Sequence, residues 1–308
     1  MSEKIVSLGE VLVEVMRPER GLPLNRPGTF RGPFASGAPL IFAAATGRLG
    51  AATQFAGVRG DDAFGDLCEQ HLTVCGVTPY LRTSATHATG VAFVAYRTDG
   101  DRDFLFHLHH SAAALLEPAD ITDELFAAVA WLHITGSTLA ASASARSACE
   151  KAVRAAKARG ATVSFDPNLR LELMSAAEVR QLCGPVLDAA DIVLPSGTEA
   201  ALLLGIDDVA AACRTLADMG KIVLLKNGEH GCKLLEGDHE TRVASISVTE
   251  TDPTGAGDAF AAGLAVARLQ GRDWVDAARF ANVVGALSTQ TFGPAEGLPT
   301  LQEVEARL

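Results

Sequence analysis

From about residue 130 onward, apolar runs and amphipathic stretches alternate along the chain. WLHIT (131–135) is a short continuous apolar run. SARSACEKAVRAAKARG follows it with helical spacing, and Gly160 is placed to end the helix. ATVSFD, DIVLP and KIVLLK read as further strands, separated by helices at SAAEVRQLCGPVLDAA, TEAALLLG and DVAAACRTLADMG. Such alternation predicts a mostly parallel sheet with helices on both faces, an α/β body. The first third is different. KIVSLGE and TQFAGV are core strands with a helix, PLIFAAATGRLG, between them. The segments at about 11–34 and 88–110 are neither helical nor fully apolar. Within the second, VAFVAY and DFLFHLH are β-rich, and Asp99-Gly100 supplies turn chemistry between them. The two segments predict a small β lid projecting from the body, all within one domain spanning 1–308.

Composition narrows the function classes. Twenty-six basic residues against thirty-seven acidic ones give a net charge of −11, with no Lys/Arg-rich run. A nucleic-acid binder or an anionic-membrane binder needs a basic stripe, so neither is expected. A small anion is not excluded, because helix N-termini bind anions locally. No apolar run approaches the ~20 residues that span a bilayer. The start, MSEKIVSLGEVLVEV, carries Glu3, Glu10 and Glu14 where a signal peptide needs a basic patch and then an unbroken apolar stretch. The six cysteines form no C-x-x-C pair. Cytoplasmic location and free thiols are the expectation.

The chemistry concentrates in Asp252-Pro253-Thr254-Gly255-Ala256-Gly257-Asp258, between the strand-like SISVTE and the helical AFAAGLAVARL. Small residues at 255–257 let a backbone approach an anion, and the amides of a helix start point outward to bind it. Asp258, in the first turn, is poorly suited to bind phosphate but well suited to take a proton from a hydroxyl attacking one. A plain capped helix with a dipole-favoured Asp is the simpler alternative. No G-x-x-x-x-G-K-[ST] is present, and no G-x-G-x-x-G follows a strand.

DPTGAGD resembles the D-[TS]-x-G-A-G-D motif of the ribokinase-like (PfkB) sugar kinases, and the resemblance runs almost the whole chain. It implies a ribokinase-like three-layer α/β/α body with a β lid. It also implies ATP and Mg2+ as cofactors, an anion hole from Gly255, Ala256 and Gly257, and Asp258 as base. Ser36-Gly37-Ala38-Pro39 through Leu49-Gly50 is similar to the family's sugar-side motif, placing Gly37 and Ala38 at the sugar, with Ile41 where an Asn is usual. Gly60 to Gly65 is similar to a structural GxDxxG turn. Glu14 stands where relatives carry an Asp that grips sugar hydroxyls. Phe165-Asp166-Pro167-Asn168-Leu169-Arg170 resembles D-x-N-x-R, implying that Asn168 and Arg170 contact substrate. Leu194-Pro195-Ser196-Gly197-Thr198-Glu199 lies where the family has N-x-x-E, so Glu199 is expected to hold Mg2+ through water, with Ser196 at the nucleotide. Lys226-Asn227-Gly228-Glu229-His230-Gly231 is similar to the nucleotide loop, implying ATP contacts from Lys226, Gly228 and Gly231, and Asn282 falls on the helix along the adenine. A monovalent cation such as K+ would use backbone near Asp252 and 288–293.

His107, His109 and His110 form the histidine cluster. On a strand, His107 and His109 share one face. They are either plain lid histidines or, for His109 or His110, sugar contacts. 2-Keto-3-deoxygluconate kinases carry an Arg three residues before Ser-Ala, and here that place is Leu108. The pattern is most similar to the tagatose kinase branch, so the expected reaction is ATP-dependent phosphorylation of a terminal hydroxyl of a ketohexose. The alternatives are 2-keto-3-deoxygluconate kinase, fructokinase or nucleoside kinase, and outside enzymes a sugar or nucleotide sensor. The expected partners are the sugar, ATP and, because an exposed lid sheet has edges to cover, a second copy through the lid.

Overall fold

Two sheets carry the fold in the computed structural model, which describes residues 3–99, 101–169 and 175–308. The strands are β1 (Lys4–Glu10), β2 (Leu12–Met16), β3 (Arg31–Ser36), β4 (Thr53–Gly60), β5 (Val77–Ser84), β6 (Gly90–Tyr96) and β7 (Arg102–His107). They continue with β8 (Val129–Thr135), β9 (Thr162–Asp166), β10 (Ile192–Val193), β11 (Ile222–Lys226), β12 (Cys232–Glu236) and β13 (His239–Val243). The helices are α1 (Ala38–Arg48), α2 (Ala63–Val74), α3 (Gly136–Ala141), α4 (Ala143–Lys157) and α5 (Ala176–Ala189). The rest are α6 (Glu199–Leu204), α7 (Val209–Asp218), α8 (Ala256–Leu269), α9 (Trp274–Ser288) and α10 (Leu301–Glu305).

The large sheet runs β13-β12-β11-β10-β9-β8-β1-β4-β5, parallel from β11 to β5 with an antiparallel β11-β12-β13 edge. β1 lies between β4 and β8, and alternation divides its side chains between two cores. Ile5 packs with α1, α8 and α9, while Val6 and Leu8 pack with α4, α5 and α7. Covered on both faces, these strands need apolar residues at successive positions, which is the pattern the sequence shows.

The lid is a second sheet of order β3-β2-β6-β7. Its inner face carries Phe104 and Phe106, partly buried, and its outer face exposes Leu105 and His107. At the end of β6, the Tyr96 hydroxyl donates to buried Asp252 at 2.6 Å, tying the lid to the loop before α8.

One expectation changes, and one hairpin was not foreseen. SISVTE is not a strand: residues 244–250 are irregular, and Ile246 and Val248 face a cleft instead of a ladder. The β12–β13 hairpin was hidden by its charged composition, which suits an exposed edge. The Asp99-Gly100 turn is described only at Asp99, whose Oδ1 accepts from the Asp101 amide.

Asp62 joins body and lid. Its carboxylate caps α2 by accepting from the Phe64 and Gly65 amides, and accepts from the Thr89 amide at 2.8 Å just before β6. Burial pushes its pKa up, but those amides and the Thr89 hydroxyl outweigh it, so the net shift is downward. The stability it supplies is therefore present above the ordinary carboxylate value and lost as pH falls through the folded value. Asp62→Ala should cost about 1 kcal/mol near neutral pH, and less below about pH 4. Urea unfolding of both proteins at the two pH values checks this.

Candidate active site

The start of α8 is set by a backbone constraint. Gly255 has φ +80°, and a Cβ there would lie 2.1 Å from the Pro294 carbonyl oxygen, so only glycine fits. Asp252 fixes the loop that feeds it. Its Oδ1 accepts from the Tyr96 hydroxyl and the Thr254 amide, and its Oδ2 from the Gly293 amide at 2.9 Å. The Ala256 amide donates to the Pro253 carbonyl oxygen at 3.3 Å, and the amides of a helix start that have no acceptor within the helix suit an anion.

Two cavities meet at this point. One, of about 220 Å3, lies between the lid and the carboxyl ends of the strands and is lined by Glu14, Ala38, Ile41, Arg102, Phe104, Asn168, Glu199 and Asp258 among others. The other, of about 610 Å3, runs between 226–231, 245–250 and α9. Ser196, Lys226, Pro253 and Gly257 line both. A Cβ on Gly257 would stand 3.3 Å from Lys226 Nζ, so the missing side chain keeps the junction open. A pocket of about 30 Å3 extends the smaller cavity toward Glu10, Gly37 and Leu108.

Asp258, buried in the first turn of α8, accepts from Asn168 Nδ2 at 3.2 Å. Asn168 is in the left-handed region, φ +36°, which Asn tolerates better than most residues. Its Oδ1 is buried with no partner among the described residues. Glu14 accepts from Ser36 Oγ at 2.8 Å, and Glu10 from Ser137 and Thr138.

Beneath the junction, Lys226 Nζ contacts Asp166 Oδ2 at 2.5 Å, with both side chains nearly buried. Burial alone would lower the Lys226 pKa, but the carboxylates of Asp166, Glu199 and Asp258 outweigh it and raise it, so the ammonium stays charged. Glu199 is pushed up by burial and by Asp166, against Lys226 and two amides. Those amides, of Leu169 and Ser196, bond its two oxygens at 2.8 and 2.7 Å. Each oxygen retains a further lone pair.

A profile described as pfkB family carbohydrate kinase matches residues 2–301. The chain belongs to this family. This carbohydrate kinase is a phosphotransferase acting on an alcohol group, with the ribokinase-like fold. It is 36% identical to Fructokinase-1 of Oryza sativa subsp. japonica, over 98% of this chain and 97% of that one. A structure from E. coli, assigned as a Ribokinase II and solved in complex with ATP and Mg2+, is 36% identical with a TM-score of 0.92, covering 99% of this chain and 98% of the other. Fructokinase from Vibrio cholerae O395, in a fructose-, ADP- and calcium-bound form, is 29% identical with a TM-score of 0.86, over 99% and 98%.

The kinase brings most of the sequence-predicted residues to these cavities. Glu14, Ala38, Asn168 and Asp258 line the smaller one, and Gly37 its narrow extension. Gly228, Gly231, Ala256 and Asn282 line the larger. Asn282 Nδ2 also donates to the Val243 and Ala244 carbonyls, so it holds the cleft wall. His109 is a correction. It lines neither cavity, is exposed, and its Nδ1 lies 3.1 Å from the Ala141 carbonyl oxygen. β7 stops at His107 because the chain turns at Leu108, whose carbonyl accepts from the Ser111 amide and hydroxyl, so His107 and His109 share no strand face. Arg170 lies outside the described residues. Sequence reasoning left Asp166, Thr254 and Phe104 without site roles. Phe104 was legible from the alternation Arg102, Phe104, Phe106 on one face of β7.

The Lys226–Asp166 pair carries a prediction. Lys226→Met leaves a buried carboxylate unpaired and should destabilise the kinase by about 3 kcal/mol. Adding Asp166→Asn should recover much of that loss, read by denaturant unfolding of the single and double variants.

Proposed function

We propose that the protein transfers the γ-phosphoryl group of ATP to a terminal hydroxyl of a neutral ketohexose. The observation carrying this reading is a buried carboxylate, Asp258, at the N-terminus of α8, where a sugar-sized cavity meets a nucleotide-sized cleft. Asp258, oriented by Asn168 Nδ2, takes the hydroxyl proton, and the Gly255–Gly257 amides hold the phosphoryl oxygens. Asn168 Oδ1 and Glu14 accept from sugar hydroxyls. The nucleotide lies along Gly228, Gly231 and Asn282, with Ser196 and Lys226 at its phosphate end.

Glu199 fits Mg2+ in the way its resemblance implies. A hard ion that keeps its waters needs one or two carboxylates beside the phosphates, and among the described residues no group of three or more acidic, His or Cys side chains forms a protein-only cage. Mg2+ supplies charge neutralisation to the phosphates when bound. We place a monovalent cation at the backbone near Asp252 and 288–293; a double mutant of fructokinase from Vibrio cholerae O395 was solved with a potassium ion.

Neutral sugar is supported by the cavity wall. Leu108 lines its narrow extension, where 2-keto-3-deoxygluconate kinases carry an Arg for the substrate carboxylate. Relatives named fructokinase, at 34–36% identity, put fructose beside tagatose as the sugar to test. The six cysteines are free and buried, and no helix among the described residues is long and apolar enough to cross a membrane. Both features are compatible with the cytoplasm.

A coupled assay with tagatose, fructose, ribose and 2-keto-3-deoxygluconate should show a ketohexose leading in kcat/KM. Asp258→Asn should bind ATP normally and lose at least about 10²-fold in kcat. Preference for the sugar acid overturns the substrate class; near-normal turnover by Asp258→Asn removes the base. We further infer that two copies pair through the lid. Its outer face exposes Leu105 and Phe30, with Phe30 edge-on to Phe93 at 5.8 Å. Leu105→Asp should convert a dimer to a monomer in sedimentation; a wild-type monomer overturns the pairing.

A further inference from the structure

Arg102 opens β7 and lines the sugar cavity from the lid. Its NH1 donates to Thr254 Oγ1 at 3.0 Å, on the residue that precedes Gly255. The guanidinium also lies over the Phe104 ring, 5.7 Å from its centre. Thr254 Oγ1 is in turn 3.3 Å from the Tyr96 hydroxyl, which bonds Asp252. The lid thus delivers a cation to the loop that feeds α8, beside the hydrogen bond that ties lid to loop.

The charge around the cavity makes this placement informative. Among the described residues lining it, Glu14, Asp166, Glu199 and Asp258 are acidic, and Lys226 and Arg102 are the cations. Lys226 is committed to Asp166 at 2.5 Å. The guanidinium of Arg102 donates to a neutral hydroxyl and is in no ion pair seen among the described residues. A guanidinium has five donors, so one bond to Thr254 leaves a fork for phosphate oxygens. It stands at the anion-hole end of the cavity, whereas a sugar carboxylate would lie toward the Leu108 end.

We propose that Arg102 is a catalytic residue that contacts the transferring phosphoryl group, supplied by the lid in the closed form. The transition state spreads charge over three equatorial oxygens. The α8 amides meet that charge from the body and Arg102 from the lid. Lid closure would then couple sugar capture to completion of the phosphoryl site, so water, which cannot hold the lid closed, is a poor acceptor.

This rests on the kinase reading, and the experiment separates the two. Wild type, Arg102→Gln, Arg102→Lys and Arg102→Ala are assayed with the best neutral ketohexose, alongside direct binding of ATP and of sugar. The expected result for Arg102→Gln is a loss in kcat of about 10²-fold, the scale of one preorganised donor, with sugar and ATP affinities within about threefold of wild type. Arg102→Lys should regain part of kcat, and added guanidinium ion should raise kcat of Arg102→Ala alone. Unchanged kcat in Arg102→Gln, or a loss confined to KM for the sugar, overturns the proposal. A wild type that phosphorylates no sugar overturns the kinase reading instead.

Discussion

The rest of the site depends on how the chain enters α8. Gly255 can be nothing but glycine, because Pro294 O occupies the space a Cβ would take. That contact, with the three bonds to Asp252, fixes the direction of the helix's first amides. A field from aligned amides acts only over the first turn, so an error in this loop would misdirect it. Asp258 owes its place to the same constraint, being the third residue of the helix.

Around that point the protein distributes charge unevenly. The ion pair of Lys226 and Asp166 sits under the junction of the two cavities, keeping an ammonium there. Glu199 is bonded by two backbone amides, so its position owes nothing to a metal. Among the described residues, apolar Leu108 lines the narrow extension of the smaller cavity, and Lys226 and Arg102 line the cavity itself.

The body was legible because a parallel sheet covered on both faces forces continuous apolar strands, and the GAGD turn because close anion approach forces small residues. The lid was legible as β structure, but its tie to the loop before α8 was not, since Tyr96 meets Asp252 across 156 positions. Asp166 sat inside the motif that named Asn168, yet its partner Lys226 lies 60 residues on, and no local pattern links them. His109 failed for a local reason: a strand was extended two residues past His107, through the turn at Leu108. SISVTE alternates like a strand, but Ile246 and Val248 line a cleft, and periodicity does not say which surface an apolar face meets.

The central claim is that Asp258 takes a proton while the sugar hydroxyl itself attacks phosphorus. Transfer from ATP made chiral at the γ-phosphorus tests it most directly. A single in-line displacement predicts inversion of configuration in the sugar phosphate. Retention would mean two displacements through a phosphorylated enzyme group, and would contradict a base at Asp258.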